Sequence, residues 1–280
     1  MTSVKIVTDS TADFSDQEIQ ELGIHVVPLS ITVNGETYLD KVDITQNEFL
    51  EKMRQSPELP KSSQPAVGHF VELYNQLGSD GSEVISIHMT GGMSGTVTSA
   101  ENAAQISDAK VTVIDSRYIS RALAFQVVEA ATMAKDGQSV EAIVKRLNEI
   151  REHTTLFVTV DTLENLVKGG RIGRGKALIG SLLNIKPIAS LQDGVYTPVS
   201  KVRSHAQIVK YLSKQFAEDA NGKTIKGVGI AQVDAVELAT NLKTAIEQLT
   251  GFKDTLIVET TPVISTHTGP GAIGFMYWVE

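Results

Sequence analysis

The sequence contains no cysteine. That excludes disulfides and thiolate metal sites, although it assigns no compartment. Aromatic residues make up only 5% of the 280 positions, so the core of this 41% hydrophobic chain must rest on Val, Ile, Leu and Ala. No run approaches the roughly 20 apolar residues that span a bilayer. The opening MTSVKIVTDS lacks the basic stretch and the long apolar stretch of a secretory signal. Together these absences predict a cytoplasmic protein with no integral membrane segment. A surplus of basic residues is also missing. The net charge of -8 argues against general nucleic-acid affinity, because phosphate contacts need Lys and Arg. No two histidines have metal-ligand spacing, so neither metal nor cofactor is expected. The Gly-rich stretch 170–176 fits the first part of a phosphate-binding loop. However, Ala177 stands where the Mg²⁺-binding hydroxyl would be, and the preceding 162–167 reads as helix rather than strand.

What is present is alternation. Short β-branched runs at 4–8, 84–88 and 111–114 each end in a polar, hydroxyl-rich loop, and helical patterns follow at 16–22, 96–106 and 120–135. This predicts an α/β fold that opens with a parallel sheet flanked by helices, with its site at the carboxyl ends of the strands. A run over 24–33 meets Asn34-Gly35, which predicts a hairpin. Ser62-Ser63-Gln64-Pro65 reads as the cap of a helix reaching about Leu77. Beyond a helix over 139–152 the pattern changes. Strands over 185–191 and 195–202 flank an Asp193-Gly194 turn, then helices and strands interleave to the end. That half predicts an α+β lobe with a largely antiparallel sheet. Two lobes follow, 1–153 and 154–280, with a ligand between them.

Three clusters could carry chemistry. The loop Thr90 to Thr96 sets three glycines and three hydroxyls between a strand and a helix, in outline a small-anion site centred on Ser94. A tight turn with a capping Ser explains the same spacing equally well. The loop holds no Lys or Arg, which favours one weakly charged anion over a nucleotide. Ser62 and Ser63 form a second hydroxyl cluster. His267 is the third feature and the most promising histidine, in a loop (Ser265 to Gly271) dense in turn residues. Gly92-Met93-Ser94-Gly95-Thr96 approximates a nucleophile elbow, with Thr96 in place of the last glycine. A serine-type acyl hydrolase using Ser94 and His267, completed by Asp9 or Asp115, is therefore an alternative.

At these residues the sequence resembles the DegV family. The matching pieces are Thr8-Asp9-Ser10-Thr11-Ala12-Asp13, Ser62-Ser63-Gln64-Pro65, Met93-Ser94-Gly95-Thr96, Leu163-Glu164, Lys168-Gly169-Gly170-Arg171-Ile172, Lys186-Pro187-Ile188 and His267-Thr268-Gly269-Pro270-Gly271. Each is weak alone, but their order and spacing are specific. The resemblance implies two α/β lobes with a fatty acid buried between them. It also implies a role without catalysis: the protein presents a long-chain acyl carboxylate to a separate fatty acid kinase subunit, and the acyl phosphate feeds phospholipid synthesis. A plain lipid reservoir or sensor without a kinase is a further alternative. Carried over by motif, Ser62 and Ser94 bind the carboxylate with His267 beside them, and Ser63, Gly95, Thr96 and Thr266 lie next to the ligand. The chain has Ser62 where the family more often has Thr, which keeps the hydroxyl, and Ala66 where it often has Ser.

Charge is unevenly placed along the chain. Between Asn165 and Ala217 there are nine Lys or Arg and one acid, a net +8 in a chain of -8, so the remainder carries -16. Such a block suggests a docking face for an acidic partner. Arg171, Arg174, Arg203 and His205 are the candidates, placed near a carboxylate that a partner's ATP must reach.

Overall fold

The computed structural model describes residues 3–178 and 185–280. Strands β1 (Val4–Asp9), β2 (His25–Val27), β6 (Glu83–His88) and β7 (Val111–Asp115) form an all-parallel sheet in the order β2-β1-β6-β7. Successive residues of β1 face opposite sides. Val7 joins Phe70, Tyr74, Ala100 and Ala103 of helices α3 (Val67–Gly78) and α4 (Thr96–Ile106), while Ile6 joins the larger cluster under α5 (Ser120–Lys135) and α6 (Val140–Glu152). The parallel sheet is thus covered on both faces, as predicted.

The chain passes from α6 to β8 (Thr154–Thr159) at His153. The second sheet runs β10-β9-β8-β13-β11-β12, with β9 (Lys186–Ser190), β10 (Thr197–Val202), β11 (Ile225–Gln232), β12 (Leu256–Glu259) and β13 (Ile273–Val279). Only β11 and β12 pair in parallel, so the sheet is largely antiparallel, in agreement with the sequence. The β9–β10 connection turns through Asp193 and Gly194, both at positive φ. Helices α8 (His205–Asp219) and α9 (Val236–Thr250) cover its outer face, where Phe216 and Tyr277 ring centroids lie 4.9 Å apart.

Helix α5 packs against both sheets. Its Ala122, Ala124, Ala130 and Ala131 are fully or almost fully buried. On β11, a Cβ at Gly227 would come within 2.8 Å of the Phe125 ring, and one at Gly229 within 2.9 Å of Arg121 Cβ. Small residues on both surfaces therefore let the helix lie close to the strand. One apolar cluster consequently runs from Ile6 to Trp278 across both halves of the chain.

A third sheet, β4-β3-β5, joins β3 (Ser30–Val33), β4 (Glu36–Leu39) and β5 (Lys61–Ser63). Asn34 and Gly35 at positive φ make the predicted hairpin, and Pro28 divides the apolar run so that β2 and β3 belong to different sheets. Three elements depart from the sequence reading. Ser62 and Ser63 cap no helix: they are in β5, with Ser62 opposite Ile31, while α3 begins at Val67 after Ala66 without a side-chain cap. Strand pairing between distant segments outweighs local capping chemistry there. His267 lies not in a loop but in the short helix α10 (Pro262–Thr268), which has Thr261 as N-cap and Pro262 in its first turn. Helix α2 (Gln46–Gln55), with a Thr45/Glu48 capping box, occupies a stretch to which the patterns assign no element.

Candidate ligand-binding site

A cavity of about 360 Å³ lies beyond the carboxyl ends of the parallel strands, between the two larger sheets. Its volume is within the range of small-molecule sites. Each element delivers a wall for a local reason. Strand β5 brings Ser62 and Ser63 through its pairing with β3. The β6–α4 loop brings Met89, Met93 and Ser94, Ile119 precedes α5, and Val158 comes from β8. Leu166 comes from the short helix α7 (Glu164–Lys168), and α10 supplies Val263, Ile264, His267 and Thr268. The lining combines hydroxyls, an amide, an imidazole and a guanidinium with Leu, Ile, Val and Met side chains and the ring of Tyr196. A smaller void of about 30 Å³ shares Ile119, Val158, Ile264 and Thr268, and it continues the apolar part toward Met276.

Ser62 Oγ and His267 Nε2 share a 2.7 Å hydrogen bond, although 205 residues separate them. His267 Nδ1 is buried without a partner, and the backbone of Gly169 lies so near that a Cβ there would stand 2.3 Å from it. A ring N–H pointing at Gly169 would go unsatisfied, so the ring proton is placed on Nε2, where Ser62 accepts it. The Ser62 hydroxyl hydrogen is then free to be donated to a ligand. Burial, together with the neighbouring Arg171 guanidinium, lowers the His267 pKa to about 4, so the imidazole is neutral at physiological pH. Ser94 Oγ meets Thr96 Oγ1 at 2.8 Å and accepts from Thr96 N–H at 3.3 Å. Gln64, missing from the sequence reading of the site, lines the cavity and donates to Ser99 Oγ at 3.0 Å. Gly95 makes room for it, since a Cβ there would fall 2.1 Å from Gln64 Oε1.

The structure brings Ser62, Ser63, Ser94 and His267 to one cavity. It does not bring Thr96 or Thr266: both are fully buried, and Thr266 Oγ1 donates to Pro262 O within its own helix. Gly95 acts behind the wall rather than on it. Arg171, expected on a docking face, lines the cavity and donates to Met93 O and Gly169 O, at 3.0 and 2.7 Å. Among the described residues it is the one charged group in the lining, so the cation missing from the Gly-rich loop is supplied from another part of the chain. Arg203 and His205 are exposed, and His205 Nε2 lies 3.1 Å from Asp161. Arg174 is half exposed, 3.8 Å from Asp193.

The triad alternative is not assembled. His267 is bonded to Ser62 rather than Ser94, and among the described residues no carboxylate stands behind its Nδ1. Asp9 accepts from Thr11, Met89 N–H and His88, while Asp115 accepts from the N–H groups of Gly91 and Arg117. His88, the last residue of β6, is wholly buried between Asp9 and Ser86. Among the described residues no cluster of His and acidic groups could hold a metal, and no helix is long and apolar enough to cross a membrane.

Known proteins share this fold. A DegV domain-containing protein of Staphylococcus aureus is 45% identical over 276 residues, covering 99% of each chain. Among solved structures, a fatty-acid-binding DegV family protein of Thermus thermophilus is 33% identical with a TM-score of 0.93. DegV of Bacillus subtilis, a fatty acid binding protein, is 31% identical with a TM-score of 0.91. Both matches cover 100% of each chain. The DegV family model, described as that of an uncharacterised protein, matches residues 3–280, and the chain belongs to the DegV family.

Proposed function

We propose that this protein binds a long-chain fatty acid and presents its carboxylate to a fatty acid kinase subunit, so that the acyl phosphate formed can enter phospholipid synthesis. The observation that carries the binding step is the polarity of the cavity. Ser62, Ser94, His267 and the Arg171 cation line one cavity, and most of its other walls are apolar, Leu29, Ile119, Val158, Leu166 and Val263 among them, with Ser63, Gln64, Tyr196 and Thr268 the further polar side chains. One fixed positive charge and several hydroxyls suit a singly charged head group. The apolar walls suit a hydrocarbon tail, whose burial is worth about 0.8 kcal/mol per methylene. The neutral His267 orients Ser62 as a donor, and Arg171 neutralises the carboxylate across the cavity. Recognition here rests on hydroxyls, an imidazole and a guanidinium, and in this reading the partner brings the nucleotide. Exposed basic residues at Arg174, Arg203 and His205 are the proposed docking contacts.

Mass spectrometry of an organic extract of the purified protein tests the reading directly. A co-purifying fatty acid, retained by wild type and depleted in Ser62→Ala/Ser94→Ala, is the expected result. Failure of wild type to take up any long-chain acid, even after incubation with one, would overturn it. The kinase step is read separately, as transfer of γ-phosphate to the bound acid by an added fatty acid kinase subunit.

A further inference from the structure

Helix α10 contributes four cavity residues, including His267, and its start hangs from two carboxylates of the N-terminal half. Asp13 Oδ1 accepts from Thr261 N–H at 3.0 Å, and both its oxygens accept from Thr260 Oγ1. Its Oδ2 also accepts from Ser120 Oγ at the first residue of α5. Asp40 Oδ1 accepts from Val263 N–H at 3.3 Å, and its Oδ2 from Ser10 Oγ at 2.6 Å. Ser10 Oγ in turn accepts from the N–H of Leu29, itself a cavity residue. Asp13 and Asp40 are 3% and 1% exposed. Val263 and His267 are four residues apart, one helical turn, so displacing the start of α10 displaces the imidazole. Neither carboxylate is used in binding the acyl head group.

We propose that Asp13 and Asp40 are positioning residues: they set the place of α10, and through it of His267, and the negative charge they carry determines how firmly α10 closes the cavity. Only the identity of the cargo depends on the fatty-acid reading. The charges around the pair are few. Lys41 and Arg121 act on Asp13, and Arg121 is itself engaged by Glu18 at 2.8 Å. Asp40 faces Asp13, and a hollow of about 110 Å³ reaches it between Lys41, Asp16 and Asp9. Through that hollow protons can exchange with solvent. On α10 the one titratable group is His267, at the far end. Burial raises Asp13 to about 6 and Asp40 to about 7, against the hydrogen bonds and, for Asp13, the nearby cations. The sign follows. A state that raises a carboxyl's pKa by burying it is favoured when the carboxyl is protonated, so ionisation as pH rises through this range loosens the docked helix.

The test follows the His267 imidazole by NMR in ligand-free protein from about pH 5 to about pH 8, above its own transition. A parallel measurement follows dissociation of a fluorescent long-chain acyl ester, which has no titrating group. In wild type the His267 signals should show an inflection between about pH 6 and 7, and the ester should leave severalfold faster at the alkaline end. Asp40→Asn, isosteric and permanently neutral, should remove Asp40's part of the inflection, leaving only the component of Asp13 near pH 6, and should slow release at the alkaline end relative to wild type, whereas Asp40→Ala should release the ester fast throughout. An unchanged inflection in both Asp40→Asn and Asp13→Asn, or none in wild type, overturns the proposal. If Asp13→Asn does not fold, wild type and Asp40→Asn decide. An inflection that behaves as expected in a protein that takes up no free long-chain acid would uphold the positioning role while removing the fatty-acid reading.

Discussion

At the scale of single residues the site depends on a relay of donors. With the ring proton on Nε2, His267 donates to Ser62 Oγ, and the Ser62 hydroxyl hydrogen is left for whatever occupies the cavity. Hydrogen bonds to charged groups contribute about 1.5–3 kcal/mol, so Ser62→Ala should weaken a free fatty acid roughly 10- to 150-fold and its methyl ester far less. Calorimetric or fluorescence titration with acid and ester checks this, and equal losses for both would show that Ser62 does not touch the carboxylate. His267 also makes stability depend on pH. Its folded pKa, about 4, lies below the ordinary value of 6.5, so the unfolded chain takes up the proton first as pH falls. Its contribution is full above about pH 6.5, falls through the interval, and is lost below about pH 4, at most about 3 kcal/mol. Urea unfolding of wild type and His267→Gln should therefore converge as pH falls over that window, while the opposite trends of Asp13 and Asp40 cancel in the comparison. A constant difference between the two proteins would show that His267 is not held neutral. The hydroxyls and the histidine were legible from the residues because a turn rich in Gly and Ser and a lone His are rare in an otherwise aliphatic chain. Their pairing was not, since nothing local links positions 62 and 267.

At the scale of elements, segments with a repeating pattern of their own or a clear turn at their ends were legible, and segments set by distant partners were not. Helix α5 and the βα units could be read because many residues repeat one pattern. Strand β5 has three residues and helix α10 seven, so their conformations depend on partners elsewhere: β3 for the first, and Asp13, Asp40, Gln46 and Asn165 for the second. The end of α7 supports α10 from behind. Gly169 closes that helix at an ordinary negative φ, which an alanine can adopt. Its added Cβ would nevertheless meet His267 Nδ1 at 2.3 Å and Asn165 O at 2.9 Å. Gly169→Ala should therefore displace the imidazole and lower fatty-acid affinity toward that of Ser62→Ala, with thermal unfolding shifted by only a few degrees, the scale of about 1 kcal/mol. Wild-type affinity in Gly169→Ala would show that the imidazole does not need this backing.

At the scale of the molecule, charge that is clustered in sequence becomes partly dispersed in space. Lys168, Lys186 and Lys214 find Glu164, Asp161 and Glu218, acids just outside the +8 segment, and Arg171 turns into the cavity. Arg203 is exposed and has no ion pair among the described residues, so it separates docking from binding. Arg203→Glu should slow kinase-dependent acyl-phosphate formation and leave lipid affinity intact, with added salt moving wild type toward the mutant. Arg171→Glu should lose both. Loss of lipid affinity in Arg203→Glu, or unchanged phosphorylation, would remove Arg203 from the docking face. By itself the sequence determined the succession of parallel and antiparallel halves, the absence of thiolate sites, and the residue types able to hold a carboxylate, because strand and helix periodicity and turn chemistry act between near neighbours. The tertiary structure alone decided that Ser62 meets His267, that Arg171 supplies the cavity's charge, and that Asp13 and Asp40 hold α10. Those contacts join segments up to 248 residues apart, and they form only when α5 brings the two sheets together over a shared core.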